Sequence, residues 1–142
     1  MSIPDIGNLH TAITPVGSRV TCNPAPTDTD RDWLVLVTAG RFDDFADALE
    51  AAGWVVGGSR IPNEANRLAS CERFNSFVKG IDNIIATESP DFHSRFLAAS
   101  TLARRFNLLD KKDRISLFQG VLYGNMCDAL DTVYPTLPES IF

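Results

Sequence analysis

Apolar and polar positions along this chain switch between two periods, and the switches mark its elements. Trp33-Leu34-Val35-Leu36-Val37 is an unbroken apolar run, too short for a buried helix and rich in β-branched and aromatic residues, so it predicts a central strand. Next, Phe42, Phe45, Ala46, Leu49 and Ala52 recur at helical spacing with acids on the opposite face, and Gly53 ends that helix. Trp54-Val55-Val56 reads as a strand closed by Gly57-Gly58, and Ile61 to Glu72 reads as a polar loop. Arg73 to Val78 and Ile81 to Thr87 read as two strands joined in a hairpin around Lys79-Gly80. Ser89-Pro90-Asp91 has the chemistry of a helix start: a hydroxyl cap, a proline at the first position and an acid in the first turn.

That helix buries Phe92, Phe96, Ala99, Ala103 and Phe106 and leaves His93 off the stripe, at the surface. A second helix starts at Asp110, with Asp113 in the capping-box position and Ile115, Phe118, Val121 and Leu122 on its apolar face. Upstream of the central strand only Ala12-Ile13 is strand-like, because Pro4 and Gly7 break any longer element. Past about residue 125, Pro135 and Pro138 predict a loosely packed tail in which Ile141-Phe142 are free to dock on a partner. Strand, helix, strands and two helices in this order make an α+β fold in a single domain, 1–142.

The polar residues that interrupt this pattern carry the chemistry. Asp30 and Asp32 stand two apart at the mouth of the central strand, so alternation sends both carboxylates to one face. Like charges so close repel unless a cation lies between them, and carboxylate oxygens are the hard ligands that Mg²⁺ prefers. Gly17 lets backbone N–H groups approach a phosphate, and Ser18 offers a hydroxyl. The stiff segment Asn23-Pro24-Ala25-Pro26-Thr27 separates the two halves. Asp28 is a third nearby acid and an alternative member of the pair. Gly58-Ser59-Arg60 repeats the letters of Gly17-Ser18-Arg19, but no paired acid follows it, and it reads as a turn. Arg60, Arg67, Lys111 and Lys112 read as solvated surface charges.

Val16-Gly17-Ser18-Arg19, a loop, and Thr29-Asp30-Arg31-Asp32-Trp33-Leu34-Val35 together resemble the nucleotidyltransferase superfamily of DNA polymerase beta, in particular its minimal members. The pattern departs from that superfamily at Arg31, where an apolar residue is usual, and at Thr21-Cys22, where many members have glycine. The resemblance implies a small mixed sheet with helices packed on one side. It implies a Mg²⁺-dependent transfer of a nucleoside monophosphate from an NTP to an acceptor hydroxyl, with two ions and Mn²⁺ as a substitute. Asp30 and Asp32 would hold the ions, and Asp82, between apolar neighbours at the head of a strand, matches the superfamily's third carboxylate. Gly17, Ser18 and Arg19 would hold the phosphates. A silent domain of the same fold, acting as a binding or antitoxin-like module, and a structural domain with an acidic turn are the competing expectations.

Composition narrows the setting. The formal net charge is −5 with no basic block, which disfavours a self-sufficient nucleic-acid binder; the acceptor is left open among protein, RNA and small molecule, beside a protein partner or a second copy. Cys22, Cys71 and Cys127 are odd in number and widely spaced, fitting a reducing cytoplasm rather than a disulfide framework or zinc site. The opening MSIPDIGNLHTAIT lacks a basic and an apolar signal region, and no run has transmembrane length, so neither secretion nor a membrane is expected.

Overall fold

The computed structural model describes residues 9–27, 29–56 and 75–123. Its elements are β1 (His10–Val16), α1 (Ser18–Thr21), β2 (Arg31–Val37), α2 (Phe42–Ala51), β3 (Val55–Val56), β4 (Asn75–Lys79), β5 (Asp82–Thr87), α3 (Pro90–Arg105) and α4 (Lys111–Tyr123). Five strands form one sheet in the order β1-β2-β5-β4-β3. Only the central pair, β2 and β5, is parallel; β1 with β2, β5 with β4 and β4 with β3 are antiparallel. The α+β class and the mixed sheet expected from the sequence are therefore present.

The helices lie on both faces of the sheet, which corrects the expectation of one covered side. Leu34 of β2 and Ile85 of β5 join Val16 and pack with Phe92, Phe96, Ala99, Ala103, Phe118 and Leu122 of α3 and α4. Val35, Val37, Ile84, Ala86 and Phe77 point the other way and pack with Phe45 and Leu49 of α2 and with Trp54. The physical reason is in the strands themselves. Leu34 and Val35, and Ile84, Ile85 and Ala86, are neighbours in sequence yet all fully buried, and a strand apolar on both faces needs cover on both. T-shaped ring packing ties each layer internally: Phe96 on Phe118, with centroids 4.9 Å apart, and Phe45 on Phe77, at 6.1 Å.

Local chemistry sets the helix ends. Ser89 Oγ accepts from the amide of Phe92, with Pro90 at the first helical position, as the sequence predicts. Asp110 Oδ1 accepts from the amide of Lys112 and so begins α4. Phe106 is exposed rather than buried, because α3 ends at Arg105 and the stripe no longer continues onto the core. His93 is half-buried rather than a surface residue. β1 runs well beyond Ala12-Ile13 in both directions, since pairing with β2 supplies the order that its weak pattern lacks. Gly57-Gly58, the second Gly-Ser-Arg, Arg67, the 61–72 loop, Asp28 and the tail after residue 123 lie outside the described residues, as do Cys71 and Cys127. Among the described residues, no helix is long and apolar enough to cross a membrane.

Candidate metal and phosphate centre

β2 and β5 run in parallel with Arg31 opposite Asp82 and Asp32 opposite Asn83. Alternation then decides which side chains meet. Asp32, two positions before the buried Leu34 and so on the same face, leaves toward the α3–α4 layer, and Asn83 leaves with it. Asn83 Nδ2 donates to Asp32 Oδ1 at 3.0 Å and to Asp30 Oδ2 at 3.2 Å. The two aspartates expected to stand together do so, joined by one amide. Asp32 and Asn83 are buried, and Asp30 is exposed, so the centre opens to solvent on the Asp30 side.

Gly17 closes the opposite wall. Val16 pairs with Asp32, and the chain then turns at Gly17 with φ +82° into the single turn of α1. A Cβ at Gly17 would lie 2.2 Å from Asp32 Oδ2 and 3.0 Å from its Cβ and Cγ, so only glycine admits this approach. The Gly17 carbonyl accepts from the amides of Val20 and Thr21, each at 3.0 Å, which fixes the turn and carries Ser18 beside it.

Burial pushes the Asp32 carboxyl up to about 7, with the charge of Asp30 adding to it; the Asn83 hydrogen bond, Arg19 and Lys111 oppose that rise. A carboxylate so placed gains most from an adjacent cation.

Arg19 is used differently from its expected role as a phosphate partner. Its Nε donates to the Thr29 carbonyl at 3.0 Å, and its Nη2 donates to the carbonyls of Thr27 and Thr29. It clamps the loop that delivers Asp30. The same loop is fastened to the α3–α4 turn: the Asn23 amide donates to Asn107 Oδ1 at 3.0 Å, and Asn107 Nδ2 returns a bond to the Asn23 carbonyl at 3.2 Å. Arg114, buried in α4, donates to the carbonyls of Leu108 and Leu109 and to Cys22 Sγ at 3.4 Å. Cys22 is a free thiol.

Asp82 does not join the other acids, and the expectation of three clustered carboxylates is corrected. It sits on the α2 face, where Arg31 Nη2 donates to its Oδ2 at 2.9 Å and Arg31 Nε lies 2.8 Å from Oδ1, off the hydrogen-bond line. In-register parallel pairing forces this, since Asp82 shares its face with Arg31 and not with Asp32. Asn83, which sequence reasoning passed over, holds the position beside the aspartates. The signal was present in the alternation: Ile85 and Asn83 share a face, as do Leu34 and Asp32. Among the described residues, no group of three or more His, Cys, Asp or Glu side chains is gathered for a metal.

The donor set therefore fits one hard cation, held by Asp30 and Asp32 in a cradle that a side chain at Gly17 would fill. Among the described residues, no third carboxylate lies with the two. Compared with known proteins, the chain matches no family model, no characterised protein and no solved structure.

Proposed function

We propose that this chain is a nucleotidyltransferase-like domain that binds a nucleoside triphosphate through a divalent cation, Mg²⁺ or Mn²⁺. Asp30 and Asp32 hold the cation, and the Gly17-Ser18 turn receives the terminal phosphates. The observation that carries the reading is the approach of Gly17 to Asp32. It puts a phosphate-compatible glycine turn against a buried carboxylate that a cation would stabilise, with Asp30 alongside. When bound, the cation would neutralise and orient the triphosphate. The protein's part is to fix two carboxylates on one strand end and to hold the intervening loop through Arg19.

Transfer of the nucleoside monophosphate to an acceptor hydroxyl of a protein, RNA or small molecule in a reducing cytoplasm is the activity that the resemblance implies. The silent binding module is the second reading, and Asn83 favours it: the place beside the two aspartates carries a neutral amide, and Asp82 is committed to Arg31. Calorimetric titration of each NTP with Mg²⁺, run beside transfer of label to cell-extract fractions, tests both. NTP affinity that requires Mg²⁺ and falls at least tenfold in Asp32→Asn supports the binding reading, and its absence in the parent protein rejects it. Label moved by the parent decides for the enzyme, and binding without transfer decides for the silent module.

A further inference from the structure

We propose that the turn between α3 and α4 docks on the outer face of α2 in a second copy of this chain, in a head-to-tail contact held by opposite charge around an apolar centre. The turn supplies the basic half. Within residues 104–112 lie Arg104, Arg105, Lys111 and Lys112, all exposed, in a chain whose net charge is −5. Arg104 donates to the Val20 carbonyl, whereas the side chains of Arg105, Lys111 and Lys112 have no hydrogen bond or ion pair among the described residues. Cations elsewhere in the described structure are engaged, as Arg31 is by Asp82, Arg41 by Asp44 and Arg95 by Asp91. Phe106 and Leu109 stand between the free cations, 64 % and 58 % exposed, two of the four large apolar side chains so placed among the described residues. The backbone beneath them is fixed, since Asn107, at φ +48°, exchanges two hydrogen bonds with Asn23. Their own helix does not explain Lys111 and Lys112, because the first turn of α4 is the positive end of its dipole.

α2 supplies the acidic half. Asp43, Asp47, Glu50 and Ala51 follow one another at i, i+4, i+7 and i+8, and so share one exposed stripe about 12 Å long. The three acidic side chains have no hydrogen bond or ion pair among the described residues. Glu50 stands in the last turn, where the dipole disfavours an acid and no basic residue is present. Beside it Ala51 keeps the surface low, which leaves room for Phe106 and Leu109. The α2 layer and the α3–α4 layer lie on opposite faces of the sheet, so the two surfaces cannot meet within one molecule. A second copy brings them together. Because the surfaces differ, the contact is heterologous and adds further copies instead of stopping at a symmetric pair. The negative net charge, to which the acids of α2 contribute, disfavours a nucleic-acid strand as the occupant.

The test uses the full chain as its own probe, in sedimentation equilibrium at about 0.02 M and about 0.5 M salt, where the Debye length is about 20 Å and about 4 Å. At low salt the weight-average mass should climb above that of one chain as concentration rises, and at high salt it should return to it. Arg105→Glu with Lys112→Glu, and separately Asp47→Lys with Glu50→Lys, should each remain monomeric. Mixed, the two variants should associate, because the intact basic turn of the second meets the intact acidic stripe of the first. Both stay net negative, so bulk attraction does not produce that result. Phe106→Ala should weaken the association of the parent about fivefold. A parent monomeric at low salt, association indifferent to salt, a reversed variant that associates like the parent, or a mixture that stays monomeric would overturn the proposal. So would a labelled single-stranded oligonucleotide that binds a monomeric parent through Arg105 and Lys112, which would give the turn to a polyanion. Should a reversed variant fail to fold by circular dichroism, the salt dependence of the parent and Phe106→Ala still decide.

Discussion

Replacing Gly17 with alanine tests the wall of the centre directly. Two costs add. A φ of +82° with ψ −171° belongs to a region that residues other than glycine rarely enter, worth about 1–3 kcal/mol. The new Cβ would also meet Asp32 Oδ2 at 2.2 Å and the stiffer Asp32 Cβ and Cγ at 3.0 Å. Asp32 is buried and tied to Asn83, so moving it gives up a charge-assisted hydrogen bond of about 1.5–3 kcal/mol. The total is about 2.5–6 kcal/mol. For a chain of 142 residues the entropy of unfolding makes each kcal/mol worth about 3 °C in Tm, so the loss should be about 8–18 °C by calorimetry. Gly40→Ala is the control: its φ is +77°, but nothing lies within 4 Å of its Cβ position. It should cost about 1 kcal/mol, or about 3 °C. An Asp32→Ala background should remove most of the excess, because the carboxylate is the main obstacle. A Gly17→Ala protein melting alongside Gly40→Ala would refute the contact and, with it, the wall.

Three further outcomes follow from the same geometry. Asp32 has a folded-state pKa of about 7 against 3.8 when free, so folding favours its protonated form; in cation-free buffer its penalty is full above about pH 7 and vanishes as pH falls toward 4. Denaturant midpoints should therefore rise on acidification across that window relative to Asp32→Asn, and parallel curves would contradict the assignment. Asp82→Asn should cost about 1 kcal/mol in urea unfolding, since Arg31 is partly exposed and the pair is screened, and it should leave Mg²⁺-dependent nucleotide affinity unchanged. Arg114→Met should cost about 1–2 kcal/mol by removing the guanidinium donor from the Leu108 and Leu109 carbonyls, and hydrogen exchange should speed up at the α3–α4 turn and at residues 22–23.

Much of the fold was legible because its signals are local. The run 33–37 could hardly be other than a strand, and Ser89-Pro90 announces α3 through chemistry that acts within one turn. The pairing of Asp30 with Asp32 was legible for the same reason, being a matter of alternation along one strand. The place of Asp82, on the face away from Asp32, was not legible because it depends on register between two strands some fifty residues apart. One position of slip exchanges the faces of Asp82 and Asn83, and nothing local fixes that slip. The single covered face was a borrowed expectation, and the continuous apolar runs of β2 and β5 argued against it. Arg19 looked like a ligand because guanidinium suits phosphate, and its capture by loop carbonyls appears only once the loop has a path.

β1 is the outermost strand at one side of the sheet, and its sequence bears on how the protein behaves when crowded. An outer strand offers unpaired backbone groups to any neighbouring chain and so invites edge-to-edge association. Pro15 has no amide hydrogen, yet the ladder to β2 continues through it from Thr14 to Val16, so the missing donor belongs to the outward edge. The register also shifts between His10 and Ala12, which distorts the strand's other end. A foreign strand adding to β1 finds regular backbone only across Ala12 to Thr14. The described edge of the sheet at β1 thus carries an interruption at each end, a form of protection against aggregation written into the strand rather than into the surface charge.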